Sequence, residues 1–166
     1  MKVRGFEKIS FEQFKKDFSF LENIEDAYNN IKIPVRATKY SVGYDISTPF
    51  DFEIKPGEIK LISTGLKVYF QTDEVFSMYI RSSMGFKHNI RLCNQVGIVE
   101  SDYYNNEDNE GHLFIKIQNE GDKTVKFNVG DRIVQGIFSK YLVTDDDNVT
   151  NVRKSGIGST DRKDDK

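Results

Sequence analysis

The sequence predicts an all-β fold, a sandwich or closed barrel, with a helical addition at its N-terminus and a mobile arm at its C-terminus. Three observations carry this expectation. From Ile31 onward apolar residues recur with period two. The alternating runs are short, spaced by about ten residues and punctuated by Gly and Asp. No strand–helix–strand alternation occurs, which sets aside dinucleotide-binding and P-loop architectures. At 166 residues the chain has the length of one domain, enough to bury roughly two-thirds of its unfolded surface.

Residues 1–30 form the helical extension. Ser10 followed by Gln13 is a capping-box pattern. Phe11, Phe14, Phe18 and Leu21 then recur at helical spacing, so residues 10–29 are expected to form one helix or two short ones packed on the domain. Residues 31–143 form the β domain. Phe50, Phe52 and Ile54 alternate with charged residues before Pro56-Gly57 turns the chain, and Leu66, Val68 and Phe70 alternate after Gly65. Leu113, Ile115 and Ile117 lead to the turn Glu120-Gly121-Asp122, and Val125, Phe127 and Val129 run up to Gly130-Asp131. Residues 144–166 are too polar and Gly-rich to pack a core by themselves, and read as an arm ordered by a ligand or a partner subunit.

Composition narrows the function. The 24 basic and 26 acidic side chains leave a formal net charge of -2, so no global basic field favours duplex nucleic acid. No apolar run approaches the roughly twenty residues of a membrane span, and the opening Met1–Phe6 lacks a signal-peptide core. The expectation is a soluble, cytoplasmic protein. Cys93 is the single cysteine and His88 and His112 the two histidines, which excludes a disulfide framework and a zinc site of several Cys or His within the chain. Chemistry falls to carboxylates, Arg, Ser, Tyr and backbone.

Familiar constellations can be dismissed. There is no Walker Gly-Lys-Ser/Thr sequence and no G-x-S-x-G elbow. Asn106, Asp108, Glu110 and Gly111 imitate the opening of a calcium loop, but Ile117 stands where a bidentate Glu belongs. What remains is five separated patches: Arg36 to Ile46 (with Gly43-Tyr44-Asp45), Ile80-Arg81-Ser82-Ser83 to His88, Asn94 to Tyr103, Gly130-Asp131-Arg132-Ile133-Val134-Gln135, and the arm from Arg153 to Thr160.

In order and spacing, over residues 34–160 or about three-quarters of the chain, these patches resemble the motif set of the homotrimeric dUTPases (deoxyuridine 5'-triphosphate nucleotidohydrolases). The Tyr103-Tyr104-Asn105-Asn106 run and the acidic insertion after it look like a bacterial and phage subgroup. The resemblance implies a jelly-roll, β-clip subunit and a homotrimer with shared active sites. It implies hydrolysis of dUTP to dUMP and pyrophosphate with Mg2+, bound mainly through the substrate triphosphate.

Residue by residue, Arg81 offers a planar fork for phosphate oxygens, with Ser82, Ser83 and nearby backbone N–H groups around it. The resemblance assigns Asn94 and the backbone of Ile98 and Val99 to uracil. Tyr103 packs under the deoxyribose, where its ring excludes a 2′-hydroxyl, and Phe114 takes a lesser substrate contact. Asp45 reaches magnesium through water. Gln135 hydrogen-bonds the phosphate chain, and Arg132 reads as structural. Arg153 fits the γ-phosphate position, with Ile157, Gly158, Ser159 and Thr160 completing the arm's contacts. Asp102 is a second candidate catalytic carboxylate, if the segment is extended.

Two departures stand out. Glu100 occupies the position of the Asp that activates the attacking water, one methylene longer, and displacing a general base by about 1 Å can cost about 10²-fold. Ile157 stands where an aromatic ring covers uracil, and Ser155 replaces a Gly. Two rival functions are a dCTP deaminase and a weakened enzyme serving as a regulatory protein-binding module. The deaminase needs a Glu three residues before Asn119, where this chain has Lys116. The binding module would use the N-terminal helix and the 104–111 insertion as surfaces for a regulatory protein partner.

Overall fold

The computed structural model describes residues 2–153 and 155–158. Its elements in chain order are β1 (Gly5–Lys8), α1 (Phe11–Asp17), α2 (Ile24–Asn30), β2 (Val35–Arg36), β3 (Tyr44–Ser47), β4 (Phe52–Ile54), β5 (Ile59–Ser63), β6 (Leu66–Tyr69) and β7 (Glu74–Ile80). Then follow α3 (Ser82–His88), β8 (Ile90–Leu92), β9 (Gly97–Val99), a 3₁₀ turn (Ser101–Tyr103), β10 (Phe114–Asn119), β11 (Val125–Phe127) and β12 (Arg132–Lys140). All pairings are antiparallel. The largest sheet has the order β2-β3-β12-β7-β9, a second has β5-β10-β8, and β4–β11 and β1–β6 form two ribbons. The expected all-β, jelly-roll character is what the chain adopts.

Each anticipated alternation emerges as a strand with its apolar side inward. Leu66 and Val68 are buried on β6, Ile115 and Ile117 on β10, and Val125 and Phe127 on β11. Buried Asn119 closes the turn after β10: its Nδ2 donates to the carbonyls of Ile54 and Lys123, and its Oδ1 accepts from Gly121 N–H. Gly136 on β12 is required by close packing, since a Cβ there would lie 1.9 Å from the Phe76 ring.

The N-terminal extension differs from its reading in two respects. It opens with a strand, because Phe6 on β1 reaches the rings of Phe76 and Phe138 at 5.5 and 5.7 Å while the backbone pairs with β6. It is also part of the core, with Ile9, Phe14, Phe18, Ala27 and Ile31 all buried. The helical span resolves into the two short helices. Ser10 caps α1 by accepting from Gln13 N–H at 3.1 Å. The capping box stays half-made, because the Gln13 amide turns to Asp17 and Ser10 N–H donates to Glu110 instead.

Candidate active site

The turn between β8 and β9, which belong to different sheets, and the 3₁₀ turn that follows β9 build a cleft of about 250 Å³. Asn94, Gly97, Ile98, Val99, Glu100 and Tyr103 line one flank, Phe114 on β10 and Met78 on β7 the floor, and Arg153, Ile157 and Gly158 the mouth. Gly97 packs closely on Met78, and a Cβ there would sit 2.9 Å from Met78 Cε and 3.3 Å from its Cβ, so Met78 would have to give way. Strand β9 ends its sheet, so one backbone edge of Gly97–Val99 has no strand partner among the described residues. Tyr103 is buried, donates its hydroxyl proton to the His112 carbonyl at 2.9 Å and accepts from Asn109 Nδ2 at 3.0 Å. Burial pushes its phenol pKa up, with the Asn109 bond and Arg153 opposing.

Glu100 and Asp102 both meet Arg153. The Arg153 guanidinium donates to Glu100 Oε2 at 2.9 Å through Nη2, and its backbone N–H donates to Asp102 Oδ2 at 2.9 Å. Asp102 lies in the 3₁₀ turn and not in an extended segment, so it does not share a strand face with Glu100. Its place is as an anchor for the arm. The same guanidinium stands 5.8 Å from the Tyr103 ring centre. Asp108 takes bonds from the Ser155 hydroxyl and from Gly156 N–H, the latter at 2.9 Å, which fastens the arm to the insertion. Ser159 and Thr160 lie outside the described residues.

The remaining expected residues gather elsewhere. Arg81 Nε meets Asp45 Oδ1 at 3.0 Å, and Arg132 Nη1 meets Asp45 Oδ2 at 2.9 Å. Gln135 pairs with Asp45 across β12 and β3, and Gly43 is required beside it because a Cβ would meet Gln135 Oε1 at 2.3 Å. Ser82 and Ser83 follow Arg81 at the start of α3. From Asp45 on β3 to β9 at the cleft lie three strand spacings, roughly 14 Å of sheet width, and a further ~10 Å along the strands, whereas Arg81 follows β7 three residues, ~10 Å, beyond cleft-lining Met78. The chain thus holds two groupings, the cleft and the cluster around Asp45.

No three His, Cys, Asp or Glu side chains converge among the described residues. A cation held by the protein alone does not fit this donor set. One brought by a polyphosphate does: the Asp45 carboxylate has about four lone-pair sites, of which the two arginines use two, leaving acceptors for metal-bound water.

Sequence reasoning missed Met78, Leu113 and His112 in the cleft lining. Leu113 reads as an ordinary core position in an alternating strand, and Met78 lies on β7, outside the alternations read from the sequence. The signal for His112 was slight, a histidine entering an otherwise apolar strand. The insertion is also more integrated than expected: Tyr104 donates to Glu7 at 2.6 Å, Lys67 donates to Asn105 at 2.7 Å, and Glu110 accepts from Ser10 and Lys67. Insertion and N-terminal segment are thus bonded to each other. No helix of the described residues is long and apolar enough to cross a membrane.

Comparison with known proteins places this geometry. The dUTPase family model matches residues 29–161. The deoxyuridine 5'-triphosphate nucleotidohydrolase of Lactococcus lactis subsp. lactis (strain IL1403) is 44% identical over 164 residues, 96% of this chain and 99% of that protein. The crystal structure of the Streptococcus mutans dUTPase superposes with a TM-score of 0.68 at 38% identity, covering 85% of this chain and 98% of its own. A mutant dUTPase from phage phi11 of S. aureus, described for its coordination of a structural Mg(II) ion, shares the fold at 18% identity (TM-score 0.66, 90% of this chain and 98% of that one). With the family model matching residues 29–161 and a relative 44% identical over 96% of the chain, the chain belongs to the dUTPase family.

Proposed function

We propose that the protein hydrolyses dUTP to dUMP and pyrophosphate, as a homotrimer in which each active centre combines the cleft of one chain with the Arg81 cluster of another. The observation that carries this reading is the separation of the two groupings. The cleft, at about 250 Å³, falls below the roughly 300–1,000 Å³ of a complete small-molecule pocket. It suits a base and a sugar, while Asp45 and the carboxylate-held Arg81 face a second grouping further along the sheet of the same chain.

In the cleft, the free edge of Gly97–Val99 and the Asn94 amide supply the donor and acceptor that uracil requires. Cytosine inverts both groups, and a buried hydrogen-bonding site can discriminate by about 10⁴–10⁵-fold. The Tyr103 ring forms the platform for the sugar, with Phe114 beside it. Arg81, Ser82, Ser83 and Gln135 of the second chain hold the phosphates, and Asp45 orients Arg81 and accepts from metal-bound water. Magnesium carried by the triphosphate would neutralise charge on its oxygens.

Glu100 is the group placed to take the proton of the attacking water. Water oxygen adds to the α-phosphorus, its proton passes to the Glu100 carboxylate, and the bond to the β-phosphate oxygen breaks to release pyrophosphate. Arg153 Nη2 stands 2.9 Å from Glu100 Oε2. A γ-phosphate draws the guanidinium away through a stronger bidentate pairing, leaving Glu100 for the water.

The test is pyrophosphate release from dUTP with magnesium and with EDTA, alongside ammonia release from dCTP. Pyrophosphate from dUTP that EDTA abolishes, with no ammonia, supports the reading. Absence of pyrophosphate with magnesium present contradicts it.

A further inference from the structure

We propose that Asp17 and His112 are positioning residues that govern discrimination between deoxyribose and ribose, making helix α1 part of the active centre. The proposal rests on the reading of Tyr103 as the sugar platform. His112 is fully buried. Gly65 N–H donates to its Nε2 at 2.8 Å, so that nitrogen carries a lone pair. The single ring proton then sits on Nδ1 and is donated to Asp17 Oδ2 at 2.6 Å. Rotating the ring would leave the Gly65 N–H, the imidazole N–H or both without a partner in a dry interior, a cost that fixes the orientation.

The fixed histidine acts on the cleft in two ways. Its carbonyl receives the Tyr103 hydroxyl proton at 2.9 Å. Its ring centre lies 4.2 Å from that of Phe114, which lines the same cleft. Asp17 is itself held, since Gln13 Nε2 donates to the same Oδ2 at 3.0 Å. A run of bonds therefore leads from α1, outside all five motif patches, through His112 to the ring under the sugar. Space for a 2′-hydroxyl depends on that ring to within a fraction of an ångström. Loss of the Asp17 acceptor frees the imidazole, relaxes the 112 carbonyl and lets Tyr103 withdraw.

The experiment compares kcat/KM for dUTP and UTP in Asp17→Ala, Asp17→Asn and Tyr103→Leu, each checked for folding by thermal melting. Asp17→Ala should narrow the dUTP-to-UTP ratio by about tenfold, the scale of one charge-assisted hydrogen bond, chiefly by raising kcat/KM for UTP. Asp17→Asn keeps a carbonyl acceptor for Nδ1–H and should restore most of the ratio. A general loss of stability would lower both substrates together and leave the ratio intact. If Tyr103→Leu narrows the ratio while Asp17→Ala does not, the positioning role is overturned and the sugar platform stands. If Tyr103→Leu leaves the ratio unchanged, the platform reading falls and this proposal with it.

Discussion

Glu100 and Ile157, which the resemblance to the family reads with Ser155 as departures from its motifs, both line the cleft. The Glu100 side chain is 56% exposed and paired with Arg153, so the longer side chain is drawn toward the arm. Glu100→Gln keeps an oxygen to receive the Arg153 N–H groups but cannot take a proton. The expected outcome is a fall in kcat of about 10²–10⁴-fold with a smaller change in KM, read from steady-state pyrophosphate release. Ile157 is 78% exposed beside the cleft. A ring there would add stacking worth roughly 1–3 kcal/mol per base, so Ile157→Phe should lower KM for dUTP by up to about tenfold. An unchanged KM would remove Ile157 from the lid. The cleft residues were legible because they are contiguous, from Asn94 to Tyr103. His112 and Asp17 were not, because 95 positions separate two groups that only the folded chain joins.

At the scale of elements, the arm, the insertion and the N-terminal segment behave as one brace around the cleft. Asp108 holds Ser155 and Gly156 of the arm, while Glu110 and Tyr104 hold the N-terminal segment. Asp108→Ala should loosen the arm and raise KM for dUTP several-fold while leaving the melting temperature nearly unchanged, because the bonds it removes belong to a terminal segment.

The brace also carries a pH dependence. Burial raises the Asp17 pKa, but the hydrogen bonds from His112 and Gln13 outweigh it and hold the carboxyl below its ordinary value of 3.8. A lowered folded-state pKa contributes stability that is complete above the unfolded value and lost as pH falls through the folded one. Thermal melts should therefore fall away below about pH 4, and less steeply in Asp17→Asn, which has no carboxylate to protonate.

The strands of this brace show what periodicity can and cannot reveal. Leu66–Phe70 and Leu113–Ile117 declare themselves by alternation. The four residues of β1 are too short to do so, and become a strand only because β6 and the Phe76–Phe138 rings are there to receive them.

For the whole molecule, the near-neutral charge and the division of the site belong together. In the proposed trimer, recognition of a triphosphate would not need a basic surface, because Arg81 of one chain and Arg153 at another's cleft would converge on it. The five-stranded sheet sets Asp45 on β3 three strands away from Val99 on β9. The antiparallel sheets and the motif patches were readable from sequence, but the distance between patches was not, since it depends on strand order and register.

Complementation between inactive variants tests this central claim most directly. Glu100→Gln and Arg81→Ala chains, each inactive by itself, would be co-expressed with different tags and the mixed oligomers purified. Random assembly should give about a quarter of the centres an intact cleft from one chain and an intact Arg81 from another. Recovery of dUTP hydrolysis to about that fraction of wild type is the predicted result. Mixed oligomers that form and remain as inactive as their parents would contradict the account.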